Sequence, residues 1–335
     1  MSQLQAQMMS LRAAADYLGT GAIEVNEYEP VITDLVRRRS VALHRFKQVP
    51  ATGQPHRYFE QTAISTAGFQ STGGQGSTAI SPSPSSPTRV ERSAFIKACV
   101  NQSNIALFDK MVTQQQKKFA EVIARDIEDI ISGINVARAS GVWAGNDTSL
   151  SSPTTVQYMG LLSQITTQST IAPGASIIDG LKAEAAALFA SQTYVVKPTA
   201  IYLNPVLGDY IDREARAGQI TLTEVEVVSG VVVKAIATQA GILPLIGDQF
   251  LPAATGAAYG FAAPPAGNKN YFAVILTEDM VEMPYVSGET DNPNPLLFQL
   301  GLQGNLSGQF VGVMFDAIVG KAATYAHAVV AVQRP

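Results

Sequence analysis

The longest periodic pattern of apolar residues lies between positions 104 and 134. Apolar side chains recur there every three, four or seven positions, at Ile105, Phe108, Val112, Phe119, Val122, Ile123, Ile127, Ile130 and Ile134. Opposite charges four residues apart, such as Lys117 with Glu121, add the side-chain pairs of a helix surface. The pattern predicts one long helix over residues 104–134, roughly 45 Å at 1.5 Å per residue.

A second amphipathic pattern opens the chain. Its apolar positions are three or four residues apart and end before Gly19: Leu4, Met8, Leu11, Ala15 and Leu18. This spacing predicts a helix whose apolar face needs a partner surface. From Gly19 to Pro55 the pattern breaks up, which predicts an extended arm with a short helix near residues 31–36.

Two strand-like segments, HRYFEQTAI and PTRVERSAFIKA, flank a stretch rich in glycine, serine and proline. Proline lacks the N–H that a central strand must donate, so residues 72–88 cannot pair as one. The three segments predict a long β-hairpin with 72–88 at its tip. A disordered linker between domains is the alternative, because so polar a segment buries too little apolar surface to offset its ordering entropy.

The second half of the chain alternates helix and strand patterns. Ser176 with Asp179 resembles a capping box and predicts a helix start. KPTAIYLNP predicts a short buried strand, and VLGDYIDREARAG a helix that ends at Gly218. Strand patterns follow in TEVEVVSGVVVKAIATQ, GILPLIGDQFL and NYFAVILT, and the segments around NLSG predict a long antiparallel hairpin.

Composition adds an expectation about association. Of the 335 residues, 46% are apolar and only 15% are charged, against roughly 25% charged in ordinary soluble domains. No apolar run approaches the ~20 residues that cross a bilayer, and the N-terminus lacks the pattern of a signal peptide. A water-soluble chain with so few charges is expected to cover part of its surface with copies of itself.

The net charge of −4 excludes a globally basic nucleic-acid binder. One basic cluster remains, formed by Arg37, Arg38, Arg39, Arg45 and Lys47. It can neutralise DNA phosphates or pair with acidic residues of a neighbouring subunit, and the sequence leaves both alternatives open.

Catalytic and metal-binding patterns are missing from the sequence. Cys99 is the lone cysteine and lies among apolar neighbours, which predicts an inert, buried thiol. The three histidines have no ligand spacing, GGQGST is not followed by the Gly-Lys-Ser/Thr of a phosphate-binding loop, and no GxSxG is present. The acidic residues of DIEDI fit the solvent face of a helix. We therefore predict no catalytic, cofactor or metal site.

The order of these segments resembles the major capsid proteins of tailed bacteriophages, of the Hong Kong 97 type. The resemblance covers nearly the whole chain and is most specific in PTAIYLNPVLGDYI, GILPLIGDQFLP and YFAVILTEDMVEMPYVS. It implies an α+β fold in which an N-terminal arm, an extended β-hairpin loop, a peripheral domain with a spine helix and an axial α/β domain follow one another. The implied bounds are 1–48 for the arm, 49–95 for the extended loop, 96–150 for the peripheral domain with its spine helix, 151–277 for the axial domain, 278–322 for the return hairpin of the peripheral domain, and 323–335 for the closing axial strand.

The resemblance also implies a function. Such a chain assembles as hexamers and pentamers into the icosahedral head that encloses double-stranded DNA, inside the virion, after synthesis in the bacterial cytoplasm. Implied partners are further copies, a portal and scaffolding or decoration proteins, with no membrane. The inter-subunit contacts expected are Leu4, Met8, Leu11, Tyr58, Phe59, Ile64 and Phe69. The alternatives are an encapsulin-like compartment, which shares the fold and encloses cargo enzymes, and an α/β hydrolytic enzyme.

Two departures from the founding member of that family modify the expectation. No long cleavable leader is evident, so a separate scaffolding protein, or none, is expected to guide assembly. Some relatives lock the shell through a lysine on the extended loop, and no lysine lies between Lys47 and Lys97 here. The sequence therefore predicts a shell held by non-covalent contacts.

Overall fold

A computed structural model describes residues 40–67, 85–106, 111, 119–218, 220, 222–228, 231–288, 293–303 and 307–335. The predicted helix over residues 3–18, the short helix near 31–36 and most of the hairpin tip lie outside these residues.

The described residues form five α-helices and sixteen strands. The helices are α1 (Val41–Arg45), α2 (Phe119–Ala144), α3 (Leu161–Gln164), α4 (Ile177–Phe189) and α5 (Pro205–Ala217). The first eight strands are β1 (Lys47–Pro50), β2 (His56–Ala63), β3 (Thr88–Ala94), β4 (Lys97–Ala106), β5 (Gln168–Ile171), β6 (Ala200–Leu203), β7 (Thr223–Val228) and β8 (Val231–Thr238). The others are β9 (Gly241–Gly247), β10 (Ala253–Ala254), β11 (Lys269–Leu276), β12 (Val281–Val286), β13 (Leu296–Gln303), β14 (Ser307–Asp316), β15 (Val319–Gly320) and β16 (Ala328–Arg334). None of the helices in these ranges is long and apolar enough to cross a membrane.

An eight-stranded mixed sheet forms the larger body, in the order β5-β16-β11-β6-β9-β8-β7 with β10 beside β11. Its central strands are apolar at consecutive positions, as in YFAVIL of β11 and AVVAV of β16. Such runs are typical of strands buried on both faces. Successive side chains do alternate between two clusters: Phe272 and Val274 pack on one face, Tyr271 and Ala273 on the other.

Helices α4 and α5 cover one face of this sheet, and local sequence explains where both begin. The Ser176 hydroxyl accepts a hydrogen bond from the Asp179 N–H, as the predicted cap requires. The Asn204 side chain caps α5, and Pro205 occupies its first turn, where a missing N–H costs nothing. The predicted helices and the strand between them are confirmed.

A six-stranded sheet contains the predicted C-terminal hairpin, β13–β14, with β4 paired along the whole of β14. The long helix α2 packs on one face of this sheet, where Ile130 and Ile134 contact Met314 and Tyr285. The backbone approaches closely at Gly312, because a Cβ there would lie 2.5 Å from Cγ2 of Ile130. This close packing fixes the helix against the sheet.

The long helix is confirmed, but its predicted bounds of 104–134 were wrong at both ends. Residues 104–106 belong to β4, whose partners in β14 are about 200 positions away in sequence. Local periodicity carries no information about so distant a pairing. At the other end the helix continues to Ala144, because Val142 and Trp143 are completely buried in the core beneath the larger sheet.

Candidate assembly interface

The hairpin β2–β3 exposes one of its two faces. Tyr58 points inward and packs with Ala94 and Val319, while the ammonium of Lys321 lies 5.8 Å from its ring centre. Burial raises the pKa of the Tyr58 hydroxyl to about 12. We predicted Tyr58 as an inter-subunit contact, whereas the structure uses its ring inside the chain because side chains alternate along a strand.

Two apolar side chains of this hairpin are largely exposed. Phe59 is 71% exposed and Ile64 is 75% exposed. The other predicted contacts, Phe69 in the hairpin and Leu4, Met8 and Leu11 near the N-terminus, lie outside the described residues. Large apolar side chains exposed together on a protruding hairpin are characteristic of a surface that another protein covers.

A second apolar surface lies on the face of the six-stranded sheet that points away from α2. The registers place Val286 beside Phe315, and Phe298 beside Val311. Strand β4 pairs with the other edge of β14, and this register places Val100 beside Val313 on the same face. Val100 is 57% exposed and Phe298 is 51% exposed. We call this surface, formed by Val100, Val286, Phe298, Val311, Val313 and Phe315, the apolar stripe.

The basic cluster is divided by the structure. Arg45 donates to both carboxylate oxygens of Glu278, from Nε at 2.7 Å and from Nη2 at 2.8 Å. The Tyr202 hydroxyl donates a further hydrogen bond to Oε1 of Glu278 at 2.5 Å. Burial alone would favour the neutral form of Glu278, but the hydrogen bonds from Arg45 and Tyr202 outweigh it and lower the pKa. Arg45, predicted to contact DNA or a neighbour, is thus held within its own chain.

Lys47 is the described member of the cluster that remains accessible. Its side chain is two-thirds exposed, and its ammonium lies 3.9 Å from the Glu282 carboxylate. Arg37, Arg38 and Arg39 lie outside the described residues. The segment between these arginines and Lys47 is anchored, because Asp248 accepts hydrogen bonds from the Ser40 hydroxyl at 3.0 Å and from the Ala42 N–H at 3.3 Å. Sequence reasoning missed this anchor, since Asp248 is about 200 residues away.

A buried charge cluster joins α2 to the six-stranded sheet. Nε of Arg138 lies 2.6 Å from Oδ2 of Asp316, and the Tyr158 hydroxyl donates to the other carboxylate oxygen. All three side chains are buried. Burial raises the pKa of Asp316, with Arg138 opposing it. A buried carboxylate needs such a partner, so this cluster fixes the end of β14 against the helix.

The groups considered for chemistry are dispersed or occupied. His327 is buried, its Nδ1 accepts from the Thr277 N–H at 3.2 Å, and its Nε2 donates to the Lys321 carbonyl at 3.1 Å. Cys99 is half-buried, and burial raises the pKa of its thiol. Within the described ranges, no group of three or more potential metal ligands occurs. The carboxylates of DIEDI lie on the partly or fully exposed side of α2, as predicted.

Burial of His327 predicts acid sensitivity. Desolvation lowers its pKa from 6.5 to about 4, so the unfolded chain binds the proton more tightly. Stability is therefore fully present above pH 6.5 and falls between about pH 6.5 and 4, by about 3–4 kcal/mol at ~1.4 kcal/mol per pH unit. Urea unfolding of the subunit across this range measures the slope. The His327→Gln variant should lose this share of it, and an unchanged slope would contradict the assignment.

No protein-family model and no curated protein matches this sequence. Solved structures do match. A chain of the holo-SrpI encapsulin complex from Synechococcus elongatus PCC 7942 has a TM-score of 0.60 at 12% identity, covering 95% of this chain and 94% of the other. A chain of Gordonia phage Cozz gives 0.62 at 13% identity over 95% and 94%. A chain from the capsid of a native GTA particle gives 0.62 at 11% identity over 95% and 98%.

These matches extend over almost the full length of each protein. At 11–13% identity they establish the fold. The chain has the Hong Kong 97-type capsid fold.

Proposed function

We propose that this chain is a major capsid protein that assembles as hexamers and pentamers into an icosahedral shell around phage double-stranded DNA. One observation carries the proposal: a chain with this fold presents a hairpin with exposed Phe59 and Ile64 and a sheet face with the exposed apolar stripe. Both surfaces are too apolar to be left to solvent in a stable particle. Shell assembly covers them and needs no catalytic group.

Both surfaces would be covered by neighbouring subunits in the proposed shell. In the proposed shell, the hairpin of one subunit lies across a neighbour, where Phe59 and Ile64 contribute apolar burial and the strand edges contribute main-chain hydrogen bonds. Leu4, Met8, Leu11 and Phe69 add contacts of the same kind. The low charged fraction of 15% fits this arrangement, because few charges must be desolvated when subunits meet.

Packaged DNA is the proposed interior partner. Arg37, Arg38, Arg39 and Lys47 would neutralise phosphates without reading sequence, if the arm lies along the inner wall. Arg45 supports this role indirectly, by holding the end of the arm on Glu278. A portal and scaffolding or decoration proteins are further proposed partners, and the mature location is the virion, following assembly in the bacterial cytoplasm.

An encapsulin-like compartment is the second candidate, favoured by the similarity to the holo-SrpI encapsulin. The two candidates differ in what the particle encloses. Expression with the neighbouring genes, followed by nuclease protection and mass spectrometry of purified particles, separates them: protected double-stranded DNA supports the capsid, and a co-purified enzyme supports the compartment.

Electron microscopy and sedimentation of the purified protein test assembly itself. We expect closed shells or rings of five and six subunits. A compact monomer under every assembly condition, including co-expression with phage structural proteins, would refute shell formation by this chain.

The shell should be free of covalent links between subunits. A lysine amine is the nucleophile of an isopeptide bond, and the hairpin offers none between Lys47 and Lys97. Lys97 itself is buried, with Nζ 2.7 Å from the carbonyls of Ser152 and Thr155. Mature particles boiled in SDS with reductant should give one band near 35.5 kDa. A ladder of oligomers surviving that treatment would contradict the prediction.

A further inference from the structure

An open cleft separates the hairpin β2–β3 from the rest of the chain. Its volume is about 480 Å³, and it lies between hairpin residues such as Thr62 and Ser93 and body residues such as Leu150, Ala323 and Tyr325. Because space rather than packed side chains lies beneath this part of the hairpin, apolar packing does not fix the angle at which the hairpin leaves the body.

Packing does fix the root of the hairpin. The buried ring of Tyr58 and the buried Ala94 contact Val319, and the Gln54 side chain exchanges two hydrogen bonds with the backbone of Ile96. These contacts hold a point from which the two strands extend outward. They act as a pivot, because they all lie at or near one end of the hairpin.

One tie lies beyond this pivot. The backbone N–H of Ala322 donates to Oε1 of Glu60 at 2.7 Å, across the mouth of the cleft. The second oxygen of Glu60 lies 3.4 Å from Nε of Arg92 on the paired strand. Among the described residues, Glu60 is the hairpin position farthest from the root that makes a hydrogen bond to the body of the chain.

A small rotation of the hairpin at its root moves its far end by a large distance, so the Glu60 hydrogen bond has a large effect on where that end lies. Residue 66 lies eight positions beyond Tyr58, which is about 26 Å along a strand at ~3.3 Å per residue. A rotation of about 10° at Tyr58 would move that end of the hairpin by about 4–5 Å, the spacing between two paired strands. The hairpin would then reach a neighbouring subunit at a position displaced by the spacing of one strand, where the intended strand pairing cannot form.

We infer that Glu60 is a positioning residue: by accepting the Ala322 N–H it sets the angle of the hairpin, and thereby the geometry and diameter of the shell. The inference rests on the proposed function. It assigns the role to the reach of the Glu60 side chain rather than to its charge, since the tie is a hydrogen bond from a neutral backbone group.

Three substitutions separate reach from charge. Glu60→Gln keeps an oxygen at the same reach and removes the charge. Glu60→Asp keeps the charge facing Arg92 and shortens the side chain by one methylene, and Glu60→Ala removes both. The matched control is Glu91→Ala on the adjacent strand, because Glu91 pairs with Arg57 within the hairpin, at 2.8 Å.

The first measurement is hydrogen–deuterium exchange of the Ala322 amide in the unassembled full-length subunit. We expect exchange at least tenfold faster in Glu60→Ala and Glu60→Asp, and within twofold of the parent in Glu60→Gln and Glu91→Ala. Thermal unfolding of each variant checks that the body remains folded. Unchanged Ala322 exchange in both Glu60→Ala and Glu60→Asp would overturn the tie.

The second measurement is the distribution of shell diameters by electron microscopy. We expect the share of particles with the parent diameter to fall at least twofold in Glu60→Ala and Glu60→Asp, and to be retained in Glu60→Gln and Glu91→Ala. Fast Ala322 exchange with an unchanged distribution would overturn the positioning role, as would an equal loss in Glu91→Ala. If the parent chain forms no shells, the proposed function fails, while the exchange data still decide whether Glu60 holds the hairpin.

Discussion

Replacing Arg138 with methionine should lower the free energy of unfolding of the subunit by about 3–5 kcal/mol at pH 7.5, the usual cost of leaving a buried charge without its partner. The guanidinium lies 2.6 Å from the Asp316 carboxylate, and both side chains are almost completely buried. Methionine fills much of the same volume, so the loss reports the charge and not a cavity. Urea unfolding followed by circular dichroism measures it.

The loss should shrink as the pH falls. Without Arg138, only the hydrogen bond from Tyr158 opposes the rise that burial causes in the pKa of Asp316, so the folded variant binds a proton more tightly than the unfolded chain, which releases it above about pH 4. Stability of the variant relative to the parent therefore recovers as the pH falls from 7.5 toward about 4. The matched control is Arg213→Met, which breaks an exposed Arg–Asp pair and should cost less than about 0.5 kcal/mol. A cost below 1 kcal/mol for Arg138→Met would show that the cluster does not secure the fold.

Shortening the hairpin should abolish shells and leave the subunit folded. The N–H of Thr66 donates to the Ser85 hydroxyl at 2.8 Å, so the two legs are already joined at that level. Replacing residues 68–84 with Asn-Gly closes the hairpin there with a favoured two-residue turn. A shorter loop has a smaller entropic cost of closure, and this difference stabilises the subunit by on the order of 1–2 kcal/mol. In the proposed shell, by contrast, the deleted residues interact with a neighbouring subunit, so assembly is what the deletion impairs.

Electron microscopy and urea unfolding test both halves of this expectation. Shells should be absent at concentrations where the parent chain assembles completely, and the urea midpoint of the unassembled subunit should not fall. A subunit that unfolds more readily while its remaining shells look normal would show that the tip stabilises the subunit itself.

The elements that the sequence predicted share a local cause. Helices α4 and α5 begin at Ser176 and Asn204 because capping is decided within four residues. The β13–β14 hairpin and the strand at AIYL follow from alternation or from short apolar runs between turn residues. In the same way, the exposure of Phe59 follows from the period of two along β2.

The contacts that the sequence could not predict join residues distant along the chain. From the sequence, Arg45 was grouped with a basic cluster that could contact DNA or a neighbouring subunit. In the fold it pairs instead with Glu278, which is 233 positions away in sequence. The prediction of helix at residues 104–106 was wrong because these residues pair with β14 as part of a strand. Tyr58 and Phe59 are both aromatic and adjacent, and their different surroundings depend on Val319.

The sequence by itself determined helices α4 and α5, the β13–β14 hairpin, the shortage of charge and the absence of lysine from the hairpin, because composition and short-range periodicity are properties of neighbouring residues. The tertiary structure alone decided which charges are buried as partners, which face of each sheet stays apolar and exposed, and how the hairpin is held at Glu60. Those outcomes depend on pairing between segments 178 to 262 residues apart, and no local pattern encodes the distance between two such segments.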